Sequence, residues 1–127
     1  MFEIHSNPDR NRLYITLAGH LDGPERQAAM KAIMAEAGKL APGFGVVSDI
    51  SGLHASDEDG FKDFLRVKAG LKLKGAGPIV RVVKIPLSRI QIERISTAAG
   101  YEAESVPSLE AADRRLDELE KEPKPEA

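Results

Sequence analysis

Runs of residues with strand character alternate along the chain with stretches whose apolar residues recur at helical spacing. This alternation constrains the fold more than any other feature of the sequence. The strand-like runs cover residues 2–5, 12–17, 44–50, 79–85 and 101–106. From the second run onward a helical stretch follows each of them, which gives the order β-β-α-β-α-β-α-β-α. Because strands that alternate with helices build parallel sheets, the pattern predicts an α/β domain. We expect a four- to five-stranded mixed, mostly parallel sheet with about four helices.

Capping and breaking residues mark the ends of several of these elements. Residues 22–25 (Asp-Gly-Pro-Glu) combine the capping residue, early proline and early acid of a helix start. Ser88 can cap the third predicted helix. The expected folded domain covers residues 1–119, and residues 120–127, which are charged and contain two prolines, are expected to form a disordered tail.

Composition excludes several classes of function. The chain has no cysteine, so disulfides, thiol catalysis and thiolate metal sites are excluded. Its three histidines lie far apart and lack a helical partner, so no metal site is expected from His5, His20 and His54. No apolar run approaches the ~20 residues of a membrane span, and the first residues lack the features of a signal peptide. The expected location is therefore the cytoplasm, with no membrane partner.

The charged residues do not predict a nucleic-acid partner or a cofactor. The net charge is −2, and the basic residues are not interleaved with aromatic ones. The glycines at 70 and 75 are not followed by the lysine of a phosphate-binding loop. We expect a loose basic cluster to lie on solvated helix ends and strand edges: Arg66, Lys68, Lys72, Lys74, Arg81, Lys84, Arg89 and Arg94.

An acidic stretch after the central strand is the main candidate for chemistry. Residues 57–59 (Asp-Glu-Asp), with His54 nearby, contain groups that do acid–base work when burial separates their pKa values. A run this polar is more often the solvated start of a helix, where the macrodipole favours acidic residues. We therefore expect no enzyme, and keep catalysis by these residues as a less favoured interpretation.

Three short motifs, in order, resemble the STAS family of sulphate-transporter and anti-sigma-factor-antagonist domains. Residues 17–22 (Leu-Ala-Gly-His-Leu-Asp) are similar to the pattern that precedes the family's first helix. Residues 46–53 (Val-Val-Ser-Asp-Ile-Ser-Gly-Leu) resemble its central strand. Residues 108–112 (Ser-Leu-Glu-Ala-Ala) resemble the start of its last helix. The resemblance covers nearly the whole expected domain and implies the STAS fold.

The resemblance also implies where partners bind. In the family's antagonists, Asp-Ser-Ser-Gly or Asp-Ser-Thr-Gly begins the second helix, and the hydroxyl after Asp accepts phosphate from a partner kinase. The matching residues here are Asp57, Glu58, Asp59 and Gly60, so glutamate stands at the phosphoacceptor position. The implied protein partner is a kinase-like ATPase or a sigma-pathway regulator. The expected binding surface adds three neighbouring positions: Ser51, Phe61 and Ser88.

Several alternatives stay open. Ser56 is a substitute phosphoacceptor if the loop register is shifted, whereas Ser51 is expected to bond within the turn at Gly52. An aliphatic core with three methionines also suits a small apolar ligand or lipid carrier. An edge strand in a small sheet favours pairing between two copies of the chain, so a homodimer is a further expectation.

Overall fold

The computed structural model describes residues 1–53, 58–83 and 104–121; at 58, 59 and 61 it describes the backbone but not the side chains. Five strands and three helices lie in these ranges. In chain order they are β1 (Phe2–Asn7), β2 (Arg12–Gly19), α1 (Gly23–Ala37), β3 (Gly45–Leu53), α2 (Glu58–Leu73), β4 (Ile79–Val82), β5 (Glu104–Val106) and α3 (Leu109–Lys121).

All five strands form one sheet in the order β1-β2-β3-β4-β5. The first pair is antiparallel, and the pairs β2–β3, β3–β4 and β4–β5 are parallel. This confirms the predicted α/β architecture with a mixed, mostly parallel sheet, and the antiparallel pair lies at one edge of that sheet. The helix that Ser88 was expected to cap lies outside the described residues.

Side-chain alternation along the strands separates two apolar layers. In β2, Leu13, Ile15 and Leu17 face α1 and α2, where they join Ile33 in the larger core cluster. The smaller cluster lies on the other face of the sheet, where Leu116 of α3 packs over the valines of the central strands. The sheet is therefore covered by α1 and α2 on one face and by α3 on the other.

Two elements extend beyond their predicted ends. The central strand was expected to stop at Ile50, but β3 continues to Leu53, because Gly52 and Leu53 stay paired with the last residues of β2. The last helix continues to Lys121, and its Glu120 contacts Arg12. Residues 122–127, the remainder of the predicted tail, lie outside the described residues.

The loop before β3 crosses the loop before β4 so closely that a glycine is required. The Gly77 N–H donates to the Phe44 carbonyl at 2.8 Å, and the Gly43 N–H donates to the Gly75 carbonyl at 2.7 Å. A β-carbon at position 77 would lie 2.5 Å from the Gly43 carbonyl oxygen, a backbone atom that cannot rotate away.

We therefore expect Gly77→Ala to lower the free energy of unfolding by about 2–3 kcal/mol, through forced separation of the two loops. Gly23→Ala is the control, because a β-carbon there meets no atom within 4 Å. Urea denaturation of both variants measures the difference. Equal stability of the two would contradict the close crossing.

Candidate functional site

The carboxyl ends of β2 and β3 meet the first turns of α1 and α2 at one edge of the sheet. β2 ends at Gly19, whose φ of 73° favours glycine, and Asp22 then caps α1 by accepting from the Glu25 N–H at 2.8 Å. β3 ends at Leu53, and α2 begins at Glu58. Open α/β sheets place their binding sites at this edge, beyond the ends of parallel strands.

An ion pair holds the two helices together at this edge. Arg26 of α1 donates from Nε to the Asp63 carboxylate of α2 at 3.0 Å, and both side chains are largely buried. The Arg26 Nη1 also donates to the Leu21 carbonyl at 3.0 Å. One guanidinium therefore connects the segment after β2, the first turn of α1 and the second turn of α2.

A small apolar cleft lies between α1 and α2 beside this ion pair. Its lining comes from both helices and from the ends of β2 and β3: Leu17, Leu21, Arg26, Ala29, Met30, Ile33, Leu53, Gly60, Asp63 and Phe64. The cavity volume is about 40 Å³. Sites that enclose a small molecule hold roughly 300–1,000 Å³, so this cleft in the described part of the chain is much smaller than such a site.

The structure places some of the expected partner-binding residues and not others. Glu58, Asp59 and Phe61 lie in the first turn of α2, although their side chains are outside what the structure describes. Gly60 is buried in the same turn and lines the cleft. Asp57 and Ser88 lie outside the described residues, as do Ser56 and His54.

Ser51 lies within β3, not in a turn at Gly52. Its hydroxyl donates to the Asp49 carboxylate at 2.7 Å and lies 3.3 Å from the Val82 carbonyl of β4. The Ser51 N–H donates to the same carboxylate oxygen at 3.1 Å. The strand extends past the predicted turn, so Ser51 bonds along β3 and toward its neighbour.

Comparison with solved structures identifies this architecture. The unphosphorylated form of the anti-sigma-factor antagonist SpoIIAA is 15% identical, with a TM-score of 0.65 over 95% of this chain and 99% of that one. A serine-to-glutamate variant of RsbS from Moorella thermoacetica is 19% identical, with a TM-score of 0.70 over 94% and 97% of the two chains. The chain has the STAS fold. No family model matches the sequence, and no curated protein matches it.

A third structure agrees with this assignment. An anti-sigma-factor antagonist from Mycobacterium paratuberculosis is 15% identical, with a TM-score of 0.57 over 92% of this chain and 95% of that one. At such low identity the likeness concerns the fold, and it confirms the fold that the three sequence motifs implied.

An ionic cluster on the far side of this STAS fold was missed by the sequence analysis. Arg12 of β2 is fully buried beneath α3 and donates to three of its carboxylates: Asp113, Asp117 and Glu120. The Arg12 hydrogen bond holds the pKa of Asp117 below its ordinary value. The sequence does contain an indication of this cluster, because the acidic residues at 113, 117 and 120 share one face of a helix.

Two basic residues that were expected on a solvated face are buried. Lys68 of α2 is 6% exposed and Arg81 of β4 is 1% exposed, both on the sheet face that α1 and α2 cover. Burial, and to a smaller extent the nearby Arg81 charge, together lower the pKa of Lys68 to about 8. The prediction of a solvated cluster was therefore wrong for these two positions.

Two classes of site are not found in the described ranges. No group of three or more histidine, aspartate or glutamate side chains is arranged to hold a metal ion there. Within the same ranges, no helix has the length and apolar character needed to span a membrane.

Proposed function

We propose that this chain is a non-enzymatic protein-interaction module of the anti-sigma-factor-antagonist type, acting in the cytoplasm. The binding surface is the first turn of α2 with the neighbouring sheet edge, and Glu58 stands in place of the phosphorylated serine. The observation that carries the proposal is the start of α2 at Glu58, at the carboxyl edge of β3 in a STAS fold.

Electrostatics at the start of α2 supports the role of Glu58. The first turn of a helix presents N–H groups without helical partners and the positive end of the macrodipole, which together favour an anion. A phosphate brings a charge of about −1.5 to −2 there, whereas glutamate brings a single negative charge. In this proposal Glu58 gives the surface a permanent negative charge, which is part of the charge that a phosphate would bring.

The solved neighbours support the same interpretation. One of them is an RsbS variant in which a serine was replaced by glutamate, and this chain carries a glutamate at the position that the motif comparison assigns to the phosphoacceptor. A chain of this kind does not need a kinase to acquire the charge. It binds its partner constitutively, and the partner is a kinase-like ATPase or a sigma-pathway regulator with a basic contact surface.

We expect Glu58→Lys to abolish capture of that partner from native-host lysate, because the substitution reverses the charge at the centre of the proposed surface. Glu110→Lys is the matched control. Glu110 is an exposed acid in the first turn of α3, so its reversal carries the same helix-dipole cost at a remote site. Quantitative mass spectrometry of wild type and both variants gives the comparison.

Enrichment of an ATP-binding regulator by wild type and Glu110→Lys, with at least a tenfold loss in Glu58→Lys (about 1.4 kcal/mol), supports the proposal. If all three proteins enrich the same regulator equally, the α2 surface is not the binding site. If none enriches such a regulator, the partner role itself is contradicted.

The cleft between α1 and α2 does not favour the ligand-carrier alternative. Its volume of about 40 Å³ is far below the volume of sites that enclose a small molecule or an acyl chain. Native mass spectrometry of the purified protein is the direct check, because a carrier retains its ligand.

A further inference from the structure

The strand β1 forms one edge of the sheet, and within the described ranges no other strand pairs with its outer side. Its six residues are Phe-Glu-Ile-His-Ser-Asn, without the proline or lysine that often blocks such an edge. Phe2 and Ile4 are only partly buried against the core. In the described ranges, the outward backbone groups of β1 therefore bond to no other strand, and its apolar side chains are only partly covered.

The hydrogen bonds at the start of β1 determine which of its residues face outward. The Met1 amino group donates to the Ala18 carbonyl at 2.9 Å, and the Ala18 N–H donates back to the Met1 carbonyl at 2.9 Å. In an antiparallel pair, hydrogen-bonded and non-hydrogen-bonded positions alternate. The backbone groups of Glu3 and His5 thus point toward β2, and those at positions 2, 4 and 6 point to the open edge.

A second copy of β1 satisfies these outward groups in one symmetric register. When Ile4 pairs with Ile4 of a second copy, Phe2 of each copy pairs with Ser6 of the other. The outward backbone groups of all three residues then form hydrogen bonds on both strands. A two-fold axis perpendicular to the sheet relates the copies. The two sheets then join into one, and Phe2 and Ile4 gain apolar cover on the α1 face.

The same register brings complementary side chains together on the opposite face. It places Glu3 directly across from His5 of the second copy, and His5 across from Glu3, at positions where cross-strand side chains approach most closely. A carboxylate accepts a hydrogen bond from an imidazole N–H. Tyr14 stacks on the His5 ring at a centroid distance of 4.9 Å, with 13° between planes, which holds the imidazole on this face.

We propose that the outer edge of β1 is a self-association surface, through which two copies of this chain pair antiparallel about Ile4. The surface lies at the opposite edge of the sheet from β5 and is separate from the proposed partner surface at the start of α2. A contact of one strand from each copy is small, so we expect a dissociation constant between about 1 µM and 1 mM.

Sedimentation equilibrium of the full chain across this concentration range tests the proposal. We expect wild type to dimerise and Ile4→Pro to remain monomeric. Proline at position 4 removes an outward N–H and leaves the bonds to β2 intact, as is typical of edge strands. Circular dichroism confirms that the variant is folded. A monomeric wild type at 1 mM, or an Ile4→Pro variant that still dimerises, overturns the proposal.

Charge substitutions at positions 3 and 5 test the register. His5→Glu places two carboxylates across from each other at both symmetric positions, and we expect dimerisation to weaken by about tenfold. Glu3→Lys combined with His5→Glu restores an opposite-charge pair in this register, and we expect the affinity to return to within about threefold of wild type. A double variant as weak as His5→Glu contradicts pairing about Ile4.

Discussion

Replacing Arg12 with alanine is expected to lower the free energy of unfolding by about 3 kcal/mol, at the lower end of the cost of breaking a buried ion pair. The Arg12 side chain is 0% exposed, and its Nη1 and Nη2 lie 2.9 Å and 2.6 Å from the Asp113 and Asp117 carboxylates. It also contacts Glu120, so one guanidinium binds three acids along α3. Truncation leaves these acids to repel one another above an unfilled space.

The expected loss is at the lower end because the acids reach water when Arg12 is removed. Asp113, Asp117 and Glu120 are 36%, 41% and 50% exposed. Arg10→Ala is the matched control, since Arg10 contacts the same Asp117 at 2.7 Å from a side chain that is 47% exposed. Such an exposed pair contributes about 0–1 kcal/mol. Urea denaturation of both variants measures the difference. Equal losses of stability would contradict the larger contribution that we assign to the buried Arg12.

Replacing Phe44 with alanine is expected to lower the free energy of unfolding by about 3–5 kcal/mol. Phe44 is 0% exposed in the larger core cluster, and it immediately precedes β3, the central strand. Its carbonyl also accepts the hydrogen bond from Gly77 that joins the two crossing loops. Truncation removes the ring from a core whose other buried members are aliphatic, and it leaves a cavity at the point where the loops meet.

Differential scanning calorimetry of Phe44→Ala against Leu73→Ala measures this effect. Leu73 is 89% exposed, so its truncation removes little buried surface and is expected to change stability by less than about 0.5 kcal/mol. A loss below about 1 kcal/mol in Phe44→Ala would show that the surrounding side chains collapse into the space. That result would contradict a tightly packed core beneath the crossing.

The order of strands and helices could be predicted because periodicity and helix caps are local signals. Asp22 caps α1 as expected, since the cap depends only on the next three residues. The end of β3 could not be predicted, because Gly52 and Leu53 remain in the strand through pairing with β2, which is distant in the sequence. The position of the candidate site came from the family resemblance, and the cleft beside it depends on the Arg26–Asp63 contact between helices.

The buried charges at Arg12, Lys68 and Arg81 were the hardest feature to predict. A charged residue is exposed in most proteins, so local sequence favours a solvated position unless a partner is identified. The partners of Arg12 lie in the last helix, where their spacing becomes informative only after the strand is known to face it. Whether a charged side chain is buried therefore depends on tertiary contacts, which a local sequence pattern does not reveal.

The strand order along the sheet has a consequence for how the chain folds. Each of the five described strands lies beside the described strand that precedes it in sequence, so the sheet can grow by one neighbour at a time from the initial hairpin. The contact between Arg12 and Asp113 joins residues 101 positions apart and requires the final helix. Because closing so long a loop is entropically costly, we expect this contact to form late on the folding pathway. We then expect Arg12→Ala to raise the rate of unfolding and to change the rate of folding little.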